Sequence, residues 1–290
     1  YNSIDKYFTC FTKMTSNLNV SDFYEHEDRS LEYVLENILS DQSNDGSDNE
    51  FQHLQMEYNS ILLNGCGCNV SQFGCVECHG RNYKWFVETG ELVLDTDNSV
   101  DLIYECSPSC KCEPSKCTNR LVQKGPRAKL KVRHSNLFKC KGLFSSDHIP
   151  KGGFICEYAG EIISRKQAHN RLKKYEQNHD NYILFMTERI KEGHNKSSTT
   201  TIIDPTKKGN IGRYLNHSCD PNCEIRSVRI DCPIPKIAIF AKRDISAGEE
   251  LCFHYNEGNE VVLARQRRIC LCGSGNCTGY MPYASDSGYL

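Results

Sequence analysis

The stretch Gly209-Asn210-Ile211-Gly212-Arg213-Tyr214-Leu215-Asn216-His217-Ser218-Cys219-Asp220-Pro221-Asn222-Cys223 mixes residue types that a core rarely needs together. It carries two glycines, an arginine, an Asn-His pair, thiols and an Asp-Pro turn. Ile211, Tyr214 and Leu215 have a helix-like spacing, which would bury one side and turn Arg213 and Asn216-His217 elsewhere. The Asp-Pro-Asn that follows breaks that segment. Such a segment suits a polar ligand, and its thiol suits a metal.

The remaining thiols support a metal. The chain has 18 cysteines, and most fall into three groups. Cys66, Cys68, Cys75 and Cys78 form the first. Cys106, Cys110, Cys112 and Cys117 form the second, and Cys270, Cys272 and Cys277 the third. Each group contains a C-x-C pair with further thiols a few residues away, which is zinc spacing. Neighbouring thiols in C-x-C are poor disulfide partners for each other but readily share one tetrahedral ion. A secreted disulfide framework is disfavoured by length, because bridges staple domains too small to bury a core. A reduced, intracellular zinc protein is expected.

The elements that must hold these groups read as mainly β with short helices. Leu130-Lys131-Val132 alternates, and Phe154–Tyr158, Tyr182–Met186 and Ile237–Ala241 read as strands. A last strand ends at Tyr255. Ser164 can cap a helix running to Tyr175. Residues 188–200 read as a charged, Ser/Thr-rich loop. Residues 1–64 carry twelve acidic and three basic residues, so they are expected to be a solvated acidic extension. Within them Leu31, Val34, Leu35 and Ile38 are spaced as one helix face. Few apolar residues are available at 65–119, so that module is expected to fold around metal.

A formal charge of -2 argues against charge-driven binding to DNA, and no apolar run is long enough to span a membrane. The chain opens at Tyr1 without an initiator Met, as a fragment or processed product would.

In order, Cys156-Glu157-Tyr158-Ala159-Gly160-Glu161, Asn181-Tyr182-Ile183, Asp204-Pro205, Gly209-Asn210-Ile211, Asn216–Asn222, Gly248-Glu249-Glu250-Leu251 with Tyr255, and Cys270-x-Cys272-x4-Cys277 resemble the SET-domain protein lysine methyltransferases. The upstream thiols look like the pre-SET module of the suppressor-of-variegation class. The branch in which a SET domain is fused to a mariner transposase shares the layout. The resemblance implies a β-clip SET fold with a knotted C-terminal segment. It divides the chain into an acidic extension (1–64), a pre-SET zinc module (65–125), a SET catalytic domain (126–256) and a post-SET zinc module with tail (257–290).

It also implies roles. Tyr255 becomes the catalytic tyrosine, and Tyr182 lines the methyl-transfer pore and contacts cofactor. Lys141, Gly142, Arg213, Asn216, His217 and Met281 join them at S-adenosylmethionine. Phe253 stands where a tyrosine would restrict the product, so di- or trimethylation is expected. Cys219 completes a zinc site with Cys270, Cys272 and Cys277. The eight cysteines from Cys66 to Cys117 would hold two or three zinc ions, one thiol short of the family's nine; His79, Cys10 or water could fill that place. Lys139-Cys140-Lys141-Gly142 departs from the family's Gly-Trp-Gly. The expected function is methylation of the histone H3 tail, at lysine nine, in nuclear chromatin. The alternatives are the same chemistry on another histone lysine or a non-histone protein, or an inactive histone-binding module.

Overall fold

In the computed structural model, residues 22, 24, 28–41, 48–62, 65–67, 80, 82–97, 102–175, 181–192, 195–256 and 268–282 are described, with backbone alone at 190–192 and 195–197. The expected zinc ligands Cys68, Cys75 and Cys78, and with them Cys10 and His79, lie outside the described residues. The fold is built from short strands with two α-helices. The strands are β1 (Glu32–Tyr33), β2 (Ile38–Leu39), β3 (Tyr83–Phe86), β4 (Glu91–Leu94), β5 (Ile103–Tyr104), β6 (Leu130–His134), β7 (Lys141–Ser145), β8 (Phe154–Glu157) and β9 (Gly160–Ile162). They continue with β10 (Leu184–Glu192), β11 (Asn195–Gly209), β12 (Asn216–His217), β13 (Cys223–Arg229), β14 (Lys236–Ala241) and β15 (Glu250–Phe253). The helices are α1 (Asn49–Tyr58) and α2 (Arg165–Tyr175).

Three sheets enclose the core. One has the order β5-β13-β14-β8, a second β12-β15-β7-β6, and a third β1-β11-β9-β2 with β10 paired to β11; β3 and β4 form a separate hairpin. In β14, Ile237 through Ala241 are all fully buried. That is why the run is continuously apolar rather than alternating. Leu143, Ile155, Ile211, Leu215, Ile239 and Leu251 belong to the central cluster beneath the sheets. Each such buried aliphatic side chain contributes about 1.5–3 kcal/mol, enough together to hold strands too short to persist alone. No helix among the described residues is long and apolar enough to cross a membrane.

Helix α2 starts where the capping residue places it. Ser164 Oγ accepts the Gln167 N–H at 3.1 Å, and Gln167 Oε1 accepts the Ser164 N–H at 3.0 Å. This is a reciprocal capping box.

Four expectations change. Residues 31–38 form no helix: β1 pairs in parallel with β11, and β2 with β9. The apolar spacing there reflects Leu31 turning into the core while β1 and β2 extend the sheet. The helix forms downstream instead, at Asn49–Tyr58. Asp48 caps it through the Phe51 N–H at 3.0 Å, and its other carboxylate oxygen accepts the Ser164 hydroxyl at 2.5 Å. The described part of residues 1–64 is therefore anchored on the body of the molecule, with Leu31, Asp48 and Phe51 buried, while Leu35, Met56 and Ile61 stay exposed.

The expected loop at 188–200 is a hairpin, with β10 and β11 paired from Leu184↔Ile203 to Glu192↔Asn195. Threonines supply its β-branched character, and the Thr187 and Thr200 hydroxyls meet at 3.1 Å. Arg229 anchors the hairpin to β13 by two bonds to the Glu188 carboxylate, at 2.7 and 2.6 Å. Finally, Tyr182 precedes its strand and Tyr255 lies two residues beyond the end of β15, so both sit just outside a strand.

Candidate active site

The Asn-His segment follows a 3-10 turn at Ile211–Tyr214. Asn210 caps that turn, accepting the Gly212 N–H at 3.0 Å. Ile211, Tyr214 and Leu215 are buried as their spacing requires, but Asn216–His217 leaves the turn as β12 and pairs in parallel with β15. Strand β15 also pairs with β7. One strand thus brings Lys141-Gly142, Asn216-His217 and Phe253–Tyr255 together.

Around Tyr255 the surroundings are aromatic. Phe253 is 2% exposed and its ring lies 5.0 Å from that of Tyr255 and 6.1 Å from that of Tyr158. The Tyr255 hydroxyl donates to the Leu215 carbonyl at 3.0 Å. Burial holds this phenol well above its ordinary range, and the nearby Cys252 and Cys140 add to the shift. Tyr255 therefore remains a neutral O–H donor. Tyr158, also raised by burial, donates to the Tyr182 carbonyl at 2.6 Å and so fixes the expected pore residue through its backbone. Sequence reasoning gave Tyr158 no role, although it stands inside the Cys156–Glu161 motif.

The candidate cofactor residues form a second group. The Arg213 guanidinium lies over the Tyr182 ring, 4.3 Å from its centroid, a cation–π geometry. Its Nε is buried without a hydrogen-bond partner, so a donor is left for a ligand. Asn216 faces the Lys141 loop: Nδ2 donates to the Lys141 carbonyl at 3.2 Å and to Glu250 Oε1 at 2.7 Å, and Oδ1 accepts from the Cys140 thiol at 3.5 Å. Glu250, also without an expected role, accepts from Ser135 Oγ as well, at 2.6 Å. A Cβ at Gly142 would lie 2.2 Å from Glu250 Oε1, so a larger residue there would push the Glu250 carboxylate off Asn216. Left-handed backbone falls on Lys139, with φ 58°, and not on Cys140. The absence of glycine at Cys140 therefore strains nothing there.

His217 is 1% exposed. Burial, with His254 alongside, pulls the imidazole down to about 4, so it is neutral near physiological pH. Its Nδ1 accepts the Tyr255 backbone N–H at 3.2 Å.

The four sulfurs of Cys219, Cys270, Cys272 and Cys277 lie within 4.8 Å of one another, with Cys219 and Cys270 3.9 Å apart. Four thiolates about 2.3 Å from one zinc would be about 3.8 Å apart, so the donor set fits. Two latches tie this segment to the Asn-His region: Asn276 Nδ2 donates to the Cys219 carbonyl at 3.1 Å, and the Ser218 and Ser274 hydroxyls meet at 3.2 Å. Met281 is anchored nearby in the chain, its N–H donating to the Arg268 carbonyl at 2.8 Å.

Away from this site, the Cys66, Cys106 and Cys112 sulfurs also lie within 4.8 Å of one another. Cys110 accepts the Cys66 N–H at 3.2 Å, and Cys117 the Asn119 N–H at 3.4 Å. Arg120, 2% exposed, donates to Cys112 Sγ at 3.5 Å and to the Ser107 carbonyl at 2.7 Å. A buried guanidinium among thiols fits metal-bound thiolates, whose negative charge it would balance.

Comparison with known proteins agrees with this geometry. Residues 141–256 match the SET domain. The chain is 37% identical over 237 residues to the probable histone-lysine N-methyltransferase set-23 of Caenorhabditis elegans, covering 80% of this chain and 92% of that protein. The chain belongs to the SET-domain histone-lysine N-methyltransferases. Among solved structures, the methyltransferase domain of human SETMAR superposes with a TM-score of 0.71 at 30% identity, covering 93% of this chain and 96% of that one. Arabidopsis thaliana SUVH6, solved in complex with SAM, gives a TM-score of 0.62 at 26% identity, covering 90% of this chain and 52% of that one. Within the SET family, then, the motifs along this sequence meet around Tyr255 and the post-SET thiols.

Proposed function

We propose that this chain methylates lysine nine of the histone H3 tail to the di- and trimethyl states in nuclear chromatin, using S-adenosylmethionine. One observation carries the reading. The Tyr255 hydroxyl is held on the Leu215 carbonyl among the rings of Phe253 and Tyr158, and the segment that holds it leads directly to Arg213 and Asn216.

Arg213, the Lys141-Gly142 backbone, Tyr182, Asn216, Met281 and the backbone of His217 would hold the cofactor; among the structural neighbours, SUVH6 was solved in complex with SAM. When bound, it supplies a methyl group on a sulfonium. What the chain itself does is align and exclude water. Tyr182, Tyr158, Phe253 and Tyr255 offer an aromatic channel in which a lysine amine is desolvated, which disfavours its charged form. Neither Tyr255 nor Tyr158 takes the proton, because burial keeps both protonated. The amine therefore loses its proton to water, and Tyr255 acts by orientation. The peptide would join as a strand on β10, which among the described residues is paired only with β11.

Zinc belongs to the same proposal, with one ion on Cys219, Cys270, Cys272 and Cys277 and two or three on the eight thiols from Cys66 to Cys117. The modules at 65–125, 126–256 and 257–290 follow from those roles. The chain's charge gives no reason to invoke direct DNA contact. The test is methyl transfer from labelled S-adenosylmethionine to an array of histone H3 peptides, with wild type and Tyr255→Phe compared. Transfer confined to peptides containing lysine nine, and lowered at least about 100-fold in the variant, is expected. Equal labelling by the two proteins would overturn the assignment of Tyr255, and labelling at another lysine would overturn the target.

A further inference from the structure

His217 corresponds to a cofactor-contacting position, yet its imidazole points into the protein. Nδ1 accepts the Tyr255 N–H. A ring nitrogen that accepts carries no proton, so the proton of the neutral ring is on Nε2. Nε2 lies 3.5 Å from Cys219 Sγ, a normal separation for an N–H donor and a sulfur acceptor. One ring therefore touches a zinc-ligand candidate on one side and the catalytic-tyrosine candidate on the other.

The position of Tyr255 shows why this matters. Pairing of β12 with β15 stops at His217↔Phe253, with a last bond from the Ser218 N–H to the Phe253 carbonyl at 3.1 Å. Beyond that point Tyr255 has left the ladder, and His217 Nδ1 takes the place of its missing strand partner. The imidazole also packs 5.3 Å from the Tyr255 ring and 4.8 Å from that of His254. With the hydroxyl on the Leu215 carbonyl, Tyr255 is held at both ends by the five residues that finish at Cys219.

We propose that His217 is a positioning residue that couples the four-thiol zinc site to Tyr255. Nε2–H fixes the Cys219 sulfur in its coordinating orientation, and Nδ1 fixes the tyrosine backbone. The inference rests on the reading above, in which Tyr255 serves methyl transfer and the four thiols hold zinc. It makes the ring a partner of the metal ligand rather than of the cofactor.

Two substitutions in the full chain separate the halves of the link. His217→Asn places an amide oxygen close to the Nδ1 position but cannot reach Cys219. His217→Gln carries an amide N–H toward the Nε2 position and offers nothing at Nδ1. Zinc release to a chromogenic chelator should be about tenfold faster in His217→Asn than in His217→Gln, the scale of a lost partner of a metal ligand. Methyl transfer at saturating cofactor, peptide and zinc should rank the other way, with His217→Gln slower by about tenfold. That crossed order is the signature, since a ring that merely filled space would give the same order in both measurements. The same order in both, or release at the wild-type rate from both variants, would overturn the link. Release needs no turnover, so a wild type that holds zinc but transfers nothing would refute the functional reading and leave the release order to decide the Cys219 half. Nitrogen-15 histidine spectra of the wild type need no variant, and a proton on Nδ1 of His217 would also overturn the proposal.

Discussion

The two thiol regions share ligand chemistry and differ in their neighbours. Around Cys66, Cys106, Cys110, Cys112 and Cys117 the neighbours are backbone N–H groups, Asn119 and a buried arginine. Around Cys219 the neighbours include a second side chain of the Asn-His segment, His217, and through it Tyr255. The first region lies in a module with little apolar core; the second, assembled from residues 51 positions apart, lies beside the candidate catalytic tyrosine. Cysteine spacing marks where a metal could be held. What the metal is for depends on the element packed against its ligands.

That contrast can be broken by one pair of substitutions, which should also give the largest effects. Cys272→Ser is expected to lower methyl transfer at least about 100-fold while moving the thermal midpoint only a few degrees, because the metal sits at the site rather than in the core. Cys106→Ser should do the reverse, with a steep fall in thermal midpoint and lost zinc, since metal binding there is folding free energy. Calorimetry and transfer assays on both proteins would read this out. A Cys106→Ser protein that keeps its midpoint and loses only activity would erase the distinction.

Arg120→Met sharpens the first region. Removing the guanidinium while the thiolates stay buried should cost about 3–5 kcal/mol in denaturant unfolding. Transfer per folded molecule should change little, since nothing in the site touches Arg120. Burial opposes the charge on Arg120, but the neighbouring Cys112, Cys117 and Cys106 outweigh it and hold the pKa above the ordinary arginine value. A neutral cost on substitution would argue that the cluster does not carry the negative charge this arginine answers.

Much of this was legible beforehand, and the gaps have physical causes. Local signals worked: Ser164 and Gln167 mark a helix start, the run at Ile237–Ala241 marks a doubly covered strand, and the C-x-C pairs mark the thiol sites. The failures involve partners distant in sequence. Nothing near Leu31 and Ile38 announces that they will join β9 and β11, because an added strand takes its instructions from the edge it meets. Side-chain direction was equally hidden. Asn216 and His217 are expected at the cofactor, and the structure adds what the motif did not say: the Asn216 amide braces the Lys141 carbonyl and Glu250, and the His217 ring turns inward. Motif membership gave their location and left their orientation open.

A smaller effect distinguishes the two regions by pH. Between about pH 7 and 9.5 the neutral fraction of a free lysine, with a reference pKa near 10.4, rises about tenfold per unit. Single-turnover transfer should rise with it. Burial raises the Tyr255 phenol above its ordinary range, so the hydroxyl keeps its proton to higher pH and contributes no falling limb in this window. A rate that falls above about pH 9 while the zinc is retained would show that a site group ionises there.

The smallest change in rate is expected from Phe253→Tyr, and it tests the site most finely. Phe253 is buried against Tyr158 and Tyr255, so an added hydroxyl enters an aromatic surround and costs about 1–3 kcal/mol unless it finds a partner. A water is the cheapest partner, and it would occupy the space a methylated amine needs to turn for the next transfer. The first methylation, which needs less room, should stay within about threefold of wild type, an energy difference below 1 kcal/mol. The second and third should nearly vanish. Mass spectrometry of peptide products would show monomethyl-lysine accumulating in the variant where the wild type proceeds to di- and trimethyl-lysine. Identical product ladders from the two proteins would remove Phe253 from the control of methylation degree and place that control in Tyr158 or Tyr182, the other rings of the channel.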